Sequence, residues 1–126
     1  MTFMMMVKTA DKRYEAGAPP DPKLAAAMGV YTEKMMKAGT VLQAGGLLPT
    51  SKGARVRLDK GKLTVIDGPF TEAKEIIGGF AMVKAGSKAE AIKLGEEFMS
   101  LHKQILGDTW DGEVEIRQLE EFDPGA

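Results

Sequence analysis

The chain has 126 residues, which is enough for one domain with a hydrophobic core. Its 44% hydrophobic and 28% charged residues are typical of a folded globular protein, and its net charge of −1 gives no general attraction to phosphate backbones or anionic membranes. Because there is no cysteine, disulfides, thiolate metal sites and thiol nucleophiles are excluded.

The chain opens with a short apolar segment. Residues 2–9 predict a strand with two apolar faces, so both faces need cover. The segment is far shorter than the roughly 20 apolar residues of a membrane span, and no basic region precedes it as in a signal peptide. We therefore expect a cytoplasmic protein that does not associate with a membrane.

The first long helix is predicted to begin at Pro22. Asp21 can cap it by accepting backbone N–H bonds, and proline suits the first helical position. An apolar stripe at helical spacing follows, and Gly39 is a plausible stop. The stripe consists of Leu24, Met28, Tyr31 and Met35. Residues 14–22, rich in Gly, Ala and Pro, are expected to form a loop.

The middle of the chain predicts a strand and a hairpin. Residues 40–50 form the strand, which Gly45 and Gly46 weaken. Residues 54–67 alternate between polar and apolar on both sides of a turn in which Gly61 supplies a positive φ. This alternation places Arg55, Arg57 and Lys62 on one face of the hairpin.

The second half of the chain repeats the strand–helix–strand order. Residues 76–85 predict a strand, and a capping box formed by Ser87 and Glu90 opens a helix that ends at Gly107. Residues 113–119 predict the last strand. The buried stripe of the helix consists of Ala91, Leu94, Phe98, Leu101 and Ile105.

This order is the split βαβ pattern of ferredoxin-like α+β folds, with a β-hairpin inserted in its middle. Two helices cover only one face of a four-stranded sheet, so the other face needs a partner, and a second copy of the chain is the simplest one. We therefore predict a homodimer of a single domain over residues 1–126, with a folded core at 1–120 and a tail at 121–126.

A recognisable motif follows the hairpin. The run Asp67-Gly68-Pro69-Phe70, followed by residues 71–75 and by Ile77-Gly78-Gly79-Phe80, resembles the DGPF-domain proteins of the YCII-related family. The opening strand, residues 44–47 and residues 112–119 fit the same pattern, so the resemblance covers nearly the whole chain. It implies a dimeric α+β barrel of the ferredoxin-like type.

The resemblance also carries functional expectations. Similar proteins often lie close to sigma-factor genes, some YCII-like relatives are thought to use a His–Asp pair, and one takes part in the breakdown of chlorinated aromatics. The histidine of that pair sits early in the first helix, where this chain has residues 24–28 and no histidine, so the pair is not carried over. The resemblance does carry over the motif residues Asp67, Gly68, Pro69 and Phe70, as the lining of a cleft.

The residues themselves allow two interpretations of Asp67. In one, the motif is a polar turn and Phe70 fills the core. In the other, Asp67 lies at the mouth of the barrel as a base or hydrogen-bond acceptor. His102, the one histidine, is either a partly buried, hydrogen-bonded residue or a group that titrates in a cleft. Asp67 and His102 form the candidate acid–base pair.

Trp110 is either a lid that packs over the core or a platform for a flat ligand. With Gly68, Pro69 and Phe70 it makes up the candidate ligand-binding set. The basic row on the hairpin is either a solvated face or a contact for an acidic partner. The motifs for nucleotide, metal or nucleic-acid binding are missing, so we expect no cofactor, metal or nucleic acid.

Two functions follow from these features. The first is binding of a small organic molecule at the barrel mouth, with metal-free acid–base chemistry as a possibility. The alternative is a non-catalytic accessory or regulatory protein, linked to a sigma-factor system through protein–protein contacts.

Overall fold

The computed structural model describes residues 1–121, so residues 122–126 of the predicted tail lie outside the described part of the chain. Two short 3₁₀ turns, at Thr50–Lys52 and Gly107–Thr109, join the longer elements. The strands are β1 (Thr2–Thr9), β2 (Val41–Gly46), β3 (Ala54–Asp59), β4 (Lys62–Asp67), β5 (Ile76–Lys84) and β6 (Gly112–Gln118), and the α-helices are α1 (Lys12–Glu15), α2 (Pro22–Lys37) and α3 (Lys88–Leu106).

Four of the strands form one antiparallel sheet in the order β2-β5-β1-β6. The two strands that flank each long helix, β1 with β2 and β5 with β6, are each separated by another strand, as the split βαβ pattern requires. Strands β3 and β4 form a separate two-stranded sheet. The predicted α+β class and the inserted hairpin are therefore confirmed.

The long helices begin at their predicted caps. The Asp21 carboxylate accepts bonds from the backbone N–H of Lys23 (2.8 Å) and Leu24 (3.4 Å). Ser87 accepts from the N–H of Glu90 at 3.2 Å, but the Glu90 carboxylate accepts from Gly86 at 2.6 Å and not from Ser87. The second bond of the capping box, from Glu90, therefore goes to the residue before the N-cap and not to the N-cap itself.

The segment 14–22, predicted as a loop, is partly helical. Asp11 accepts a bond from the N–H of Arg13 at 2.9 Å and so caps the short helix α1. The second strand is also shorter than the predicted 40–50 and ends at Gly46. The chain turns away there because Pro49 precedes the 3₁₀ turn and cannot continue a ladder of N–H donors.

The hydrophobic core lies between the sheet and the helices, at the end where β1 starts and β5 finishes. Helix α3 lies close to β6 there. A methyl group added at Gly95 would come within 2.9 Å of the Ile116 side chain, which shows how small the gap is. The core is therefore tight at this end of the layer. Its buried members are Phe3, Met5, Val41, Val83, Ala85 and Ala91.

The opposite face of the sheet carries an apolar group on β1 and β5. Met4 pairs with Met82 and Met6 pairs with Phe80 across β1 and β5, and these four side chains are half-buried by one another. The predicted partner for this face stays a prediction. No described helix is long and apolar enough to cross a membrane.

Candidate functional site

A cavity of about 990 Å³ lies between the helices and the sheet, and the core residues Met5, Val41 and Val83 form part of its wall. On the sheet side of the cavity Gly46 lies opposite Gly79, so this pair contributes no side chain to the layer. The cavity has the size of a small-molecule site. Its apolar lining includes Val7, Leu24, Met28, Leu94, Phe98 and Val114.

An aromatic wall closes one side of the cavity. The His102 ring stacks on the Trp110 ring with centroids 4.7 Å apart and an interplanar angle of 27°. The Phe98 ring meets the other side of His102 edge-on at 5.0 Å. The 3₁₀ turn at residues 107–109 brings Trp110 back over the helix, so His102 is held between two rings.

His102 is held in one tautomer. Its Nδ1 lies 3.1 Å from the backbone carbonyl oxygen of Phe98, one helical turn earlier. A carbonyl can only accept, so Nδ1 carries the proton and donates it, which leaves Nε2 as a lone-pair acceptor. Burial lowers the pKa of His102 below its ordinary value and outweighs the Phe98 hydrogen bond, which raises it. The imidazole is therefore neutral at pH 7.

The Nε2 atom of His102 is not completely buried. Among residues 1–121, every buried side-chain nitrogen or oxygen has a hydrogen-bond partner, and the bond of His102 within these residues is made by Nδ1. The Nε2 atom therefore keeps some solvent-accessible surface. The residue is only 6% exposed and belongs to the lining of the cavity.

The charged side chains that line the cavity already form an ion pair or cap a helix. Arg13 makes a two-pronged contact with Asp11, from Nε at 3.1 Å and from Nη2 at 2.7 Å. Asp21 caps α2. Tyr31 donates its hydroxyl to Glu97 at 2.8 Å, and burial raises its pKa, so it stays protonated. The described lining thus provides no unpaired cation for an anionic ligand.

The sequence-predicted site residues separate into two groups. His102 and Trp110 line the cavity together, whereas Asp67, Gly68, Pro69 and Phe70 do not belong to its lining. Asp67 ends β4 and pairs with Ala54 in the hairpin, while His102 lies on α3 against the four-stranded sheet. The cavity therefore does not join the members of the predicted acid–base pair.

The motif instead secures the base of the hairpin. The N–H of Gly68 donates to the carbonyl oxygen of Gly53 at 2.9 Å, and the N–H of Phe70 donates to Thr50 Oγ1 at 3.0 Å. Thr50 in turn donates its N–H (3.0 Å) and its hydroxyl to the Glu15 carboxylate. We call these hydrogen bonds, which join Gly68 to Gly53 and join Thr50 to Phe70 and Glu15, the clasp. They connect the motif to α1.

The clasp requires glycine at position 68. A methyl group there would lie 1.6 Å from the carbonyl oxygen of Thr50, which is backbone and cannot move aside cheaply. Phe70 does not fill the core as one interpretation expected, because its ring lies under the Arg55 guanidinium, 3.9 Å from the ring centroid, and Arg55 also pairs with Glu72. The motif therefore anchors the base of the hairpin, and a part in ligand binding stays a prediction.

Tyr14 is a cavity residue that the sequence analysis missed. Its hydroxyl donates to the carbonyl oxygen of Gly78 at 3.3 Å, and its ring lies 3.6 Å from where a side chain at Gly78 would begin. A usable signal was present, because a glycine in a strand often marks a close approach by another group. Within residues 1–121, no cluster of three or more His, Asp or Glu side chains is placed to hold a metal ion.

We expect Gly68→Ala to lower the free energy of unfolding by at least about 2 kcal/mol, because the methyl group forces Thr50 away and breaks the clasp. Gly29→Ala is the matched control, because nothing lies within 4 Å of its added methyl group in α2, and it should stabilise by roughly 0.5–1 kcal/mol. Urea unfolding followed by Trp110 fluorescence measures both. Equal stabilities would contradict the steric argument.

We expect the pKa of His102 to lie below 6.5 and to rise toward that value in Trp110→Ala, which uncovers the ring. The unfolded chain takes up this proton near pH 6.5 and the folded chain only at lower pH, so the free energy of unfolding should decrease as the pH falls below about 6.5. As the one histidine, His102 gives a single NMR titration curve. A pKa at or above 6.5 in the unaltered chain would show that burial does not control it.

Comparison with known proteins identifies the family. The profile of the YCII-related domain matches residues 1–100, which run from β1 into α3 and stop short of His102 and Trp110. An uncharacterized protein of Rhizobium meliloti (strain 1021) is 28% identical over 105 residues, which cover 83% of this chain and 80% of that protein. The chain belongs to the YCII-related family.

Proposed function

We propose that the cavity binds a small, uncharged and largely apolar organic molecule that carries one hydrogen-bond donor. The observation that supports this most directly is the Nε2 acceptor of His102, held as a neutral base in the wall of an apolar cavity of about 990 Å³. An apolar site with few polar groups fixes a ligand's orientation through those groups. The pairing of Arg13 with Asp11 favours a ligand without negative charge.

Proton transfer is the chemistry that this arrangement supports. Nε2 can take a proton from an acidic O–H or C–H group of the ligand, and burial makes the resulting imidazolium a ready donor, which returns the proton to another ligand atom. We propose this role for His102 without Asp67, since Asp67 lies outside the cavity lining. Trp110 serves as the platform that fixes the imidazole ring.

A regulatory role through protein contacts, including the link to a sigma-factor system, is the second candidate. The exposed hairpin favours it, because both of its strands present side chains to solvent. The two functions differ in their use of the cavity. A regulatory protein would not distinguish ligands by a donor that reaches His102.

We expect the chain to bind 2-naphthol more tightly than 2-methoxynaphthalene, because only the naphthol has an O–H group to donate to Nε2. His102→Phe keeps a flat ring and removes the acceptor, so it should weaken naphthol binding by roughly 2- to 10-fold and leave the methyl ether unchanged. Calorimetry and quenching of Trp110 measure both affinities.

Naphthol binding should also weaken as the pH falls through the lowered pKa of His102, because protonated Nε2 no longer accepts. Phe70→Leu is the matched control: it alters an aromatic residue of the motif that lies outside the cavity lining, so both affinities should persist. Equal binding of naphthol and its ether by the unaltered chain would remove the role of His102. Binding of neither would remove the ligand site.

We further propose that two copies associate through the outer face of the four-stranded sheet, as a dimeric α+β barrel. Met4, Met6, Phe80 and Met82 form an apolar centre on that face. Glu115 and Arg117 lie opposite Met6 and Met4 on β6 and form a polar rim. An apolar centre with a charged rim is the usual composition of such an interface.

We expect the chain at micromolar concentration to have twice the monomer mass of 13.6 kDa. Met6→Lys should shift it to monomer, because the substitution places a strongly hydrated charge at the apolar centre of the face, and its desolvation opposes burial even beside Glu115. Val30→Lys is the matched control, because Val30 is exposed on α2 and a lysine there stays in solvent. Native mass spectrometry separates the cases, and a monomeric unaltered chain would refute the association.

A further inference from the structure

The β3–β4 hairpin presents an aliphatic surface to solvent. Val56 lies opposite Val65 and Leu58 lies opposite Leu63, so the four side chains form two adjacent cross-strand pairs on one face. Each is between 67% and 71% exposed. We call these four residues the aliphatic ladder. Single exposed aliphatic residues are ordinary, but a contiguous set on one flat face indicates a contact surface.

The hairpin's own chain does not use this ladder. The opposite face carries Arg55, Arg57 and Lys62, and Arg55 is held against Phe70 and Glu72 at the base. The hairpin is therefore attached through its charged face, and the clasp fixes its base. A two-stranded sheet alone is marginally stable in water. Lys60 and Gly61 both have positive φ (52° and 81°), which gives the tight twisted turn of a well-formed hairpin.

We infer that a second copy of this chain covers the aliphatic ladder, with the hairpin acting as an arm that reaches onto the partner. The inference rests on the association of two copies proposed above. Burying four such side chains removes roughly 100 Å² each, or about 400 Å² per chain. A stable interface needs about 800 Å² per partner, so the ladder is insufficient alone.

The outer face of the sheet supplies the rest of the area. Both apolar surfaces belong to the same chain, and a two-fold axis uses each surface twice, once on each copy. A self-associating chain therefore covers both with a single symmetric contact. A different protein partner would have to cover the ladder and leave the centre around Met6 and Phe80 to another contact.

The test compares the two faces of the hairpin. Leu58→Thr/Leu63→Thr removes the ladder's two largest side chains and keeps residues that suit strands. Arg57→Thr/Lys62→Thr is the matched control on the opposite face. Sedimentation equilibrium should show that the dimer affinity of the ladder variant is at least about 10-fold lower than that of the unaltered chain. The dimer affinity of the control should stay within about 2-fold. Trp110 fluorescence reports whether each variant keeps its fold.

A second measurement does not depend on weakening the dimer. The chain contains no cysteine, so Leu63→Cys gives a unique position for a benzophenone label, and Arg57→Cys gives the control on the other face. Irradiation should join two copies through the label at position 63 and not through the label at position 57. Absence of the crosslink from position 63 in a dimeric sample would overturn the inference.

The outcomes separate this inference from the sheet-face dimer. If the ladder variant is as dimeric as the unaltered chain and Met6→Lys is monomeric, the role of the hairpin is overturned and the sheet contact is retained. A monomeric unaltered chain would remove both. Binding of the monomer to phosphatidylcholine vesicles, lost in the ladder variant, would overturn a protein occupant in favour of a lipid surface.

Discussion

The layer between the helices and the sheet is incompletely filled, and the rest of the molecule depends on this. At the core end, Gly95 lets α3 approach β6 closely and the buried side chains interlock. At the other end, the facing glycines of β2 and β5 contribute no side chains. Tyr14 packs on Gly78 and Trp110 stacks on His102, and both residues line the cavity. A cavity is the direct result.

The chemistry of the cavity follows from what surrounds one histidine. The rings of Phe98 and Trp110 exclude water from His102, and the carbonyl oxygen of Phe98 selects its tautomer. Exclusion of water disfavours the charged form, so the ring is a neutral base and not a cation. The same physical cause acts on Tyr31, whose hydroxyl stays protonated and donates to Glu97.

Local patterns were sufficient to predict the fold and insufficient to assemble the site. Caps such as Asp21 and Ser87, and the alternation along the hairpin, act within a few residues, so the elements and their order could be read from the sequence. His102 was predicted at the edge of the apolar stripe of α3, whereas it is 6% exposed and lies on the buried side of the helix with Ala91 and Gly95. Its pairing with Asp67 required knowing where the hairpin stands relative to the sheet. That orientation is set by contacts such as Thr50 with Glu15, which join distant segments and leave no periodic signal.

The turn at residues 67–70 and the candidate site therefore have different physical bases. The profile match ends at residue 100, whereas the stacked pair of His102 and Trp110 comes later in the chain. The motif specifies a turn that only glycine can make at position 68. In this chain the turn shapes the hairpin, and the stacked rings in the cavity lining lie on other elements.

The clasp has a thermodynamic consequence. Thr50 Oγ1 accepts from Phe70 and donates to Glu15, so one hydroxyl joins the root of the hairpin to the residue that follows Tyr14 in the cavity wall. A contact that orders the hairpin also restrains the cavity wall, and a ligand that orders the wall also restrains the hairpin. Such coupling is reciprocal: ordering of the hairpin and ordering of the cavity wall change each other's free energy by the same amount.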